Sequence, residues 1–306
     1  MSFRLDANDK TIMAASVNDP SVFLKWYLDW SFLPWQARVD VAKQPEITVI
    51  GGVGSGKTAG ISRSAMRWMA MVPYFKFMNL APTAWQANLM YQDMLTAMEH
   101  HRYQRFLKNS SSKPYPTILL QNGSTAEFMT ASDEIERIRG WEGDWIHLDE
   151  GGFIDSERTV KFMRTRLRGA TVTHRPRIGR LSVTTTATDA EWLWRRYDEA
   201  VDDPGMYMSM TVASKENTSL SERDLYLMSR ALPEELRRVE MDGCRPDYTG
   251  NEFSTGTVEG VTNRQINLWM EDEVSKENPQ VRYAETREAG CVRWEGRSRC
   301  GRKRVR

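Results

Sequence analysis

The chain has 306 residues, of which 40% are hydrophobic and 27% are charged, which suits one large domain or a domain with an appendage. Forty-two basic residues stand against 41 acidic ones, so the net charge of +1 gives no indication of nucleic-acid binding. No apolar run approaches the ~18 residues of a membrane-spanning helix, and the N-terminus has no signal-peptide core. We expect a soluble intracellular protein that contacts no membrane, with Cys244, Cys291 and Cys300 as reduced thiols.

Apolar β-rich runs alternate with helical patterns, which predicts a mostly parallel sheet flanked by helices, the α/β class. The predicted strands are Ile47–Ile50, Phe75–Ala81, Trp145–Asp149, Leu181–Thr185 and Met206–Val212. Most are followed by a predicted helix: Thr58–Met71, Ala84–His100, Ser156–Arg168 and Ala190–Val201. Between Tyr115 and Thr130 two apolar runs flank Asn122-Gly123, a pair typical of tight hairpin turns, so we expect an antiparallel addition to the sheet.

The pattern beyond Met206 predicts two further helices. A Ser221/Asp224 capping pair opens the first, Pro233 suits the first turn of the second, and Gly243 suits its end. The last twelve residues, EGRSRCGRKRVR, hold six basic residues and no apolar pattern, which is typical of a disordered tail. A DNA-binding tail and an artificial extension are the alternatives.

Residues 47–60, ITVIGGVGSGKTAG, contain the phosphate-binding pattern G-x-x-x-x-G-K-[ST] between a strand and a helix. Glycines let backbone N–H groups turn toward phosphates, and the start of the helix adds partial positive charge. The alternative is a glycine-rich turn that only links the strand to the helix. The predicted nucleotide-binding residues are Gly51, Gly52, Val53, Gly54, Ser55, Gly56, Lys57 and Thr58.

The stretch DWIHLDE, residues 144–150, is an apolar strand that ends in two adjacent acids. We expect Asp149 and the Thr58 hydroxyl to hold Mg²⁺, Lys57 to neutralise the β- and γ-phosphates, and Glu150 to orient an attacking water. The alternative is a surface pair of acids. Together the two motifs predict a P-loop NTPase of the RecA/helicase-like (ASCE) plan that uses ATP and Mg²⁺.

Three further features suit such a site. Gln36 in LPWQ has an amide that matches the N6/N7 edge of adenine. Thr184, Thr185 and Thr186 end a later strand, where their hydroxyls would sense the γ-phosphate, although a β-prone threonine run in a buried strand is the alternative. Arg137 and Arg139 lie in a loop before the strand that carries the acids.

At these residues the chain resembles the ATPase portion of large terminase subunits, the DNA-packaging motors of tailed bacteriophages. The resemblance covers about residues 25–255 and rests on the order of motifs. Its segments are Pro34–Gln36, Gly51–Thr58, Ala81–Ala87, Ile138–Glu150, Thr184–Thr186, Asn217–Leu225 and Gly250–Ser254.

The resemblance implies a motor that hydrolyses ATP to move double-stranded DNA into a procapsid in the host cytoplasm. It implies a homo-oligomeric ring, expected to be a pentamer on the portal protein, and a small terminase subunit as a further partner. Family members often carry an arginine inside the P-loop, whereas this chain has Gly52-Val53 there, so we assign a trans-acting catalytic role to Arg139, with Arg137 as the other candidate. An ion pair with Glu142 or Asp144 is the structural alternative for Arg139.

We predict an ATPase core over residues 1–212, a helical lid or linker subdomain over 213–255, and an extension of uncertain structure over 256–306. The family's RNase H-like nuclease would start near residue 260, so we expect it to be absent and the chain to lack nuclease activity. From Lys161 to Arg180 the chain has seven basic residues and no acid, which is either a solvated face or a contact to DNA phosphates. The DNA-binding candidates, spaced to share one helical face, are Lys161, Arg164 and Arg168.

Two other functions remain open on the sequence. A superfamily-2 helicase-like ATPase would want a second RecA-like domain, for which the chain has no room. A nucleotide-gated assembly module would not need a water-orienting acid such as Glu150.

Overall fold

The computed structural model describes residues 5–131, 138, 140–154, 157–167 and 179–246, and the backbone of two short strands further on. The chain divides into two compact units, Met1–Pro246 and Asp247–Arg306. Within the second unit, Arg282–Glu285 (β9) and Val292–Glu295 (β10) pair antiparallel. The division into core, lid and extension stays a prediction.

The first unit is organised around one eight-stranded sheet with the strand order β3-β4-β5-β2-β6-β7-β1-β8. Six neighbouring strands from β5 to β8 pair in parallel, and β4 and β3 add antiparallel at one edge. The strands are β1 Glu46–Gly51, β2 Lys76–Ala81, β3 Leu107–Ser111, β4 Thr117–Leu120, β5 Thr125–Thr130, β6 Trp145–Asp149, β7 Arg180–Thr185 and β8 Tyr207–Val212.

Helices lie on both faces of the sheet, and each face has its own core. One core contains Ile47, Phe77 and Trp145 with α2, α4 and α5; the other contains Leu148 and Val183 with α7 and α8. The helices are α1 Ala7–Asn18, α2 Pro20–Leu28, α3 Pro34–Val41, α4 Lys57–Met71, α5 Ala84–Met98, α6 His101–Gln104, α7 Glu157–Arg164, α8 Glu191–Asp202, α9 Glu222–Ala231 and α10 Glu234–Glu240. Within the described ranges, no helix combines the length and apolar character that crossing a bilayer requires.

The α/β fold class and the five parallel strands are confirmed, and so is the antiparallel addition at Asn122-Gly123. The Ser221/Asp224 capping box also forms as expected. Helix α7 was predicted too long, because it ends at Arg164, and Arg168 lies outside the described residues. The pattern missed α1, whose buried residues are the polar Asp9 and Ser16, so it has no apolar periodicity to detect.

A buried ion pair joins α3 to α4, the helix that follows the P-loop. Arg67 Nη2 lies 2.7 Å from Asp40 Oδ2, and both side chains are almost fully buried. The Ser64 hydroxyl also donates to Asp40, and the Arg67 guanidinium lies over the Trp68 ring, 4.7 Å from its centroid. A charge buried this deeply stabilises the fold only while its partner is present.

We expect Asp40→Asn, which keeps the shape of the side chain, to lower the free energy of unfolding by about 3 kcal/mol or more, because Arg67 then loses its counter-charge inside the protein. Asp29→Asn is the matched control. It breaks the Lys25–Asp29 pair, whose side chains are 70% and 68% exposed, and should cost under ~1 kcal/mol. Urea unfolding of both variants measures the difference; equal losses would contradict the structural importance of the buried pair.

Candidate nucleotide site

The predicted site residues meet at the carboxyl ends of three adjacent parallel strands. In the register of β1, β7 and β6, Ile50 is aligned with Thr185, and Thr184 is aligned with Asp149. The chain leaves β1 directly into the P-loop. Open α/β sheets bind their ligands at this edge, so the position suits a nucleotide site.

The P-loop, residues 51–58, forms a tight turn that ends at the start of α4. Gly54 and Gly56 have φ of 73° and 87°, left-handed conformations that L side chains rarely adopt. The buried Lys57 side chain turns back over the loop, and its Nζ donates to the carbonyl oxygens of Gly51 at 2.8 Å and Gly52 at 3.3 Å. Burial lowers the pKa of Lys57, while Glu150 and Asp149 oppose that shift, so the ammonium lies in a site that an anion would stabilise.

The Asp149 side chain contacts both the residue that ends the P-loop and β7. Thr58 Oγ1 donates to Asp149 Oδ2 at 3.4 Å, and Thr184 Oγ1 donates to Asp149 Oδ1 at 3.1 Å. Burial raises the pKa of Asp149, but contacts with His147, the Thr184 hydroxyl and the charge of Lys57 outweigh it, so the pKa lies below its ordinary value. The carboxylate is therefore favoured in its ionised form, which metal binding requires.

Glu150 has a left-handed backbone, with φ at 49° and ψ at 44°, which is unusual for a residue that is not glycine. Its Oε2 accepts the Thr186 N–H at 2.9 Å, and the Thr185 and Thr186 hydroxyls approach the carboxylate at 3.3–3.4 Å. Its Oε1 lies 3.8 Å from Lys57 Nζ. The three threonines thus contact the two acids in this structure, and their predicted response to the γ-phosphate stays a prediction.

Gln36 packs against the P-loop instead of standing free in solvent. Its Oε1 accepts the Leu33 N–H at 2.8 Å, and its Nε2 donates to the Gly56 carbonyl oxygen at 2.9 Å. The side chain is buried, and a Cβ at Gly60 would come within 2.7 Å of it. Its amide ties α3 to the P-loop, and the predicted contact with adenine stays a prediction.

Residues 213–246, here called the lid segment, form hydrogen bonds with the backbone of the P-loop. Ser214 Oγ donates to the Val53 carbonyl oxygen at 2.6 Å, Asn217 Nδ2 donates to the Gly54 carbonyl oxygen at 2.7 Å, and Val53 N–H donates to the Glu240 carbonyl oxygen at 2.7 Å. The sequence singled out Asn217 through the family resemblance but gave no sign of Ser214 or of Glu240, because neither belongs to a motif.

The Glu240 side chain is a third acid that interacts with the phosphate-binding residues. Burial raises its pKa, repulsion from Glu150 adds to the rise, and attraction to Lys57 opposes it. The sequence does not show that Glu240 lies near Lys57, because the two residues are 183 positions apart and only folding brings them together.

The structure describes only some of the basic residues that were predicted to bind DNA. Lys161 is exposed, whereas Arg164 Nε lies 3.6 Å from Glu46 Oε1 and the Arg164 guanidinium also donates to the Gly179 carbonyl oxygen. Arg180 is buried, with its guanidinium 4.9 Å from the centroid of the Trp145 ring. Arg164 and Arg180 thus take part in holding the fold together. Three further arginines of the basic run Lys161 to Arg180 lie outside the described residues: Arg168, Arg175 and Arg177. So do Arg137 and Arg139, the two candidates for a catalytic arginine.

The residues present fit a magnesium nucleotide. The P-loop combines a buried ammonium with a helix start, and Ser55 Oγ is buried with no hydrogen-bond partner among the residues that the structure describes. No group of three or more histidine, cysteine or acidic residues in the described ranges is arranged to hold a metal by itself. Mg²⁺ needs no such group here, because it usually keeps several waters and combines one or two protein ligands with substrate phosphates.

We expect Gly52→Ala to displace the lid segment, because a Cβ at residue 52 would lie 2.1 Å from the Met241 carbonyl oxygen and 2.5 Å from Ser214 Oγ. The overlap should lower the free energy of unfolding by about 1–3 kcal/mol and increase protease cleavage within residues 213–246. Gly205→Ala is the control, since its Cβ would meet only Asp203 Oδ1, at 3.5 Å. Cleavage and stability like those of the wild type in Gly52→Ala would contradict the tight contact.

No family model and no curated protein sequence matches the chain. Solved structures do match. The large terminase ATPase domain of Thermus phage P74-26 is 17% identical, with a TM-score of 0.53 over 73% of this chain and 98% of that one. The large terminase of the thermophilic bacteriophage D6E is 18% identical, with a TM-score of 0.55 over 70% of this chain and 54% of that one.

A third match is the large terminase of bacteriophage HK97, 17% identical, with a TM-score of 0.55 over 71% of this chain and 51% of that one. The chain thus spans about half the length of the D6E and HK97 proteins. The D6E protein has been solved in complex with ADP and with ATP-gamma-S. The described part of this chain therefore has the fold of the ATPase domain of large terminases.

Proposed function

We propose that the chain is the ATP-hydrolysing motor domain of a viral genome-packaging machine that moves double-stranded DNA into a procapsid. The observation that carries the proposal is that three side chains converge at one sheet edge. They are the P-loop lysine Lys57, the acid Asp149, which is suited to bind Mg²⁺, and the acid Glu150, which is suited to orient a water. Lys57 Nζ lies 3.8 Å from Glu150 Oε1, and Thr58 Oγ1 lies 3.4 Å from Asp149 Oδ2. The shared fold with large terminase ATPase domains supports the same proposal.

In the proposed reaction, the P-loop amides and Lys57 bind and orient the β- and γ-phosphates of ATP. Thr58 and Asp149 would hold Mg²⁺, which would supply charge neutralisation. Glu150 Oε1 orients a water and accepts its proton as the water attacks the γ-phosphate. The Thr186 N–H donates to Glu150 Oε2 and so fixes the direction of that carboxylate.

The partners that we propose are double-stranded DNA, further copies of this chain in a ring on the portal protein, and a small terminase subunit. Among the described residues, exposed Lys161 is the candidate for contact with the DNA backbone. Such a contact is made to phosphates and not to bases. Because it is electrostatic, DNA binding should weaken steeply with salt. A helicase-like ATPase is the alternative, and the likeness to large terminases, with TM-scores of 0.53 and 0.55, supports the packaging motor.

The test of the proposal is ATP hydrolysis measured with and without linear double-stranded DNA. We expect Lys57→Ala to abolish hydrolysis and to weaken ATP binding by about 2 kcal/mol or more, because a charge-assisted contact to phosphate is lost. Glu150→Gln should bind ATP and Mg²⁺ as the wild type does yet hydrolyse ATP several orders of magnitude more slowly, since an amide is a poor proton acceptor.

The two variants separate the competing functions. Hydrolysis at the wild-type rate in Lys57→Ala would refute the P-loop assignment. Normal hydrolysis in Glu150→Gln would assign the base to another residue. A wild-type protein that binds ATP, assembles and never turns it over would favour the nucleotide-gated assembly module. Cleavage of plasmid DNA by the pure chain, abolished by a point mutation in it, would contradict the expected lack of nuclease activity.

We further propose that Arg139 acts on ATP bound to the neighbouring subunit of a ring, where a supplied guanidinium is typically worth ~10³–10⁵ in rate. Mixing inactive Arg139→Ala, which keeps Glu150, with inactive Glu150→Gln, which keeps Arg139, should restore part of the ATPase activity. Restoration is expected because some interfaces regain one intact site and one intact arginine. A mixture that demonstrably co-assembles and stays inactive would contradict action in trans.

A further inference from the structure

A continuous chain of side-chain contacts leads from the interior of the sheet to Asp149. Trp145 Nε1 donates to Ser182 Oγ at 2.7 Å, and Ser182 Oγ lies 2.8 Å from His147 Nδ1. His147 Nε2 lies 3.1 Å from Thr184 Oγ1, which in turn donates to Asp149 Oδ1 at 3.1 Å. All five residues lie on two paired strands, β6 and β7, and all five are buried.

The hydrogens of these side chains can be assigned by starting at Asp149 and following the contacts toward Trp145. The Thr184 hydroxyl has one hydrogen, which it gives to Asp149, so its oxygen accepts from His147 Nε2–H. The other ring nitrogen, Nδ1, is paired with the Ser182 hydroxyl, whose oxygen also accepts from the Trp145 indole. The arrangement places a hydrogen on Nε2 of His147 and leaves no member of the chain unpaired.

Position 147 lies where a buried parallel strand ordinarily carries an apolar residue. Its neighbours Ile146 and Leu148 are fully buried, as is His147 itself. A polar side chain in such a place is costly unless it is hydrogen-bonded, so the two bonds of the imidazole account for its tolerance there. The direct separation between His147 Nε2 and Asp149 Oδ1 is 3.9 Å, too long for a hydrogen bond, so the contact with the acid passes through Thr184.

We propose that His147 is a positioning residue for Asp149, which it orients through the Thr184 hydroxyl so that the second carboxylate oxygen faces Thr58 and the Mg²⁺ of a bound nucleotide. The inference rests on the proposed function, since it concerns the metal of the same site. With Oδ1 held by Thr184, rotation of the carboxylate is restricted and Oδ2 stays on the side of Thr58, 3.4 Å from its hydroxyl. Outer partners of this kind commonly change metal affinity by 10–100-fold.

The test measures Mn²⁺ as a probe of the Mg²⁺ site, by electron paramagnetic resonance of the full chain with the non-hydrolysable analogue AMP-PNP. His147→Phe keeps a planar ring and loses both nitrogens, so we expect Mn²⁺ affinity to fall by about 10-fold or more. AMP-PNP binding without metal should change by less than about twofold, because no phosphate contact is altered. His147→Gln places an amide N–H near the position of Nε2 and should restore most of the affinity.

Asn79→Leu is the matched control. Asn79 is aligned with His147 on the neighbouring strand β2 and is fully buried, but neither of its amide atoms has a hydrogen-bond partner within the described ranges. Leucine has nearly the same shape, so this variant should keep wild-type Mn²⁺ affinity. Ser182→Ala, three contacts away from Asp149 in this chain, releases Nδ1 of His147 and should weaken Mn²⁺ binding to an intermediate extent.

Each outcome bears on the inference. Wild-type Mn²⁺ affinity in a folded His147→Phe would overturn it and leave the proposed function intact. If His147→Phe does not fold, Ser182→Ala decides: unchanged affinity overturns the inference, and a selective loss supports it. An equal loss in Asn79→Leu would show a general effect of core changes and would also overturn it. A wild-type protein that binds no Mn²⁺ with AMP-PNP and hydrolyses no ATP would refute the proposed function itself.

Discussion

Backbone hydrogen bonds between the parallel strands β6, β7 and β1 hold the carboxyl ends of these strands at one level, and the site depends on this alignment. Asp149 lies opposite Thr184, and Thr185 lies opposite Ile50, one residue before the P-loop begins. A slip of one residue would turn each side chain to the other face of the sheet. The apolar cores on both faces oppose such a slip, since it would exchange buried aliphatic residues for the polar ones beside them.

The alignment also gives each of the two acids at the end of β6 its own partners, which a pair of acids on the protein surface would not have. Asp149 and Glu150 are adjacent in sequence but face different partners, Thr58 and Thr184 for the first, Thr186 and Lys57 for the second. The left-handed backbone at Glu150 separates the two directions. The proposed function assigns one carboxylate to a metal and the other to a water, and the separation of the two side chains suits both roles.

Much of this arrangement was predictable from local pattern. The P-loop and the strand before it have a fixed spacing of glycines and β-branched residues, and the strand Trp145–Asp149 was placed with its observed bounds. Helices after several of the strands were also found, with ends off by a few residues, whereas α2 and α3 were not predicted, although α2 buries Phe23, Leu24 and Tyr27. The pattern did not reveal α1, whose buried residues are polar, or the end of α7 at Arg164. Nor did it reveal that Gln36, Arg164 and Arg180 have partners within the fold, because such contacts join positions far apart in the chain.

The strained backbone at Glu150 links two strand ends into one unit. A left-handed conformation at a residue with a side chain costs of order 1–3 kcal/mol and persists only where surrounding contacts enforce it. At Glu150 those contacts come from the end of β7, through the Thr186 amide and the neighbouring hydroxyls. Evolution therefore cannot vary the two segments independently: a sequence that changes the turn after β7 must also find a new way to hold the acid after β6.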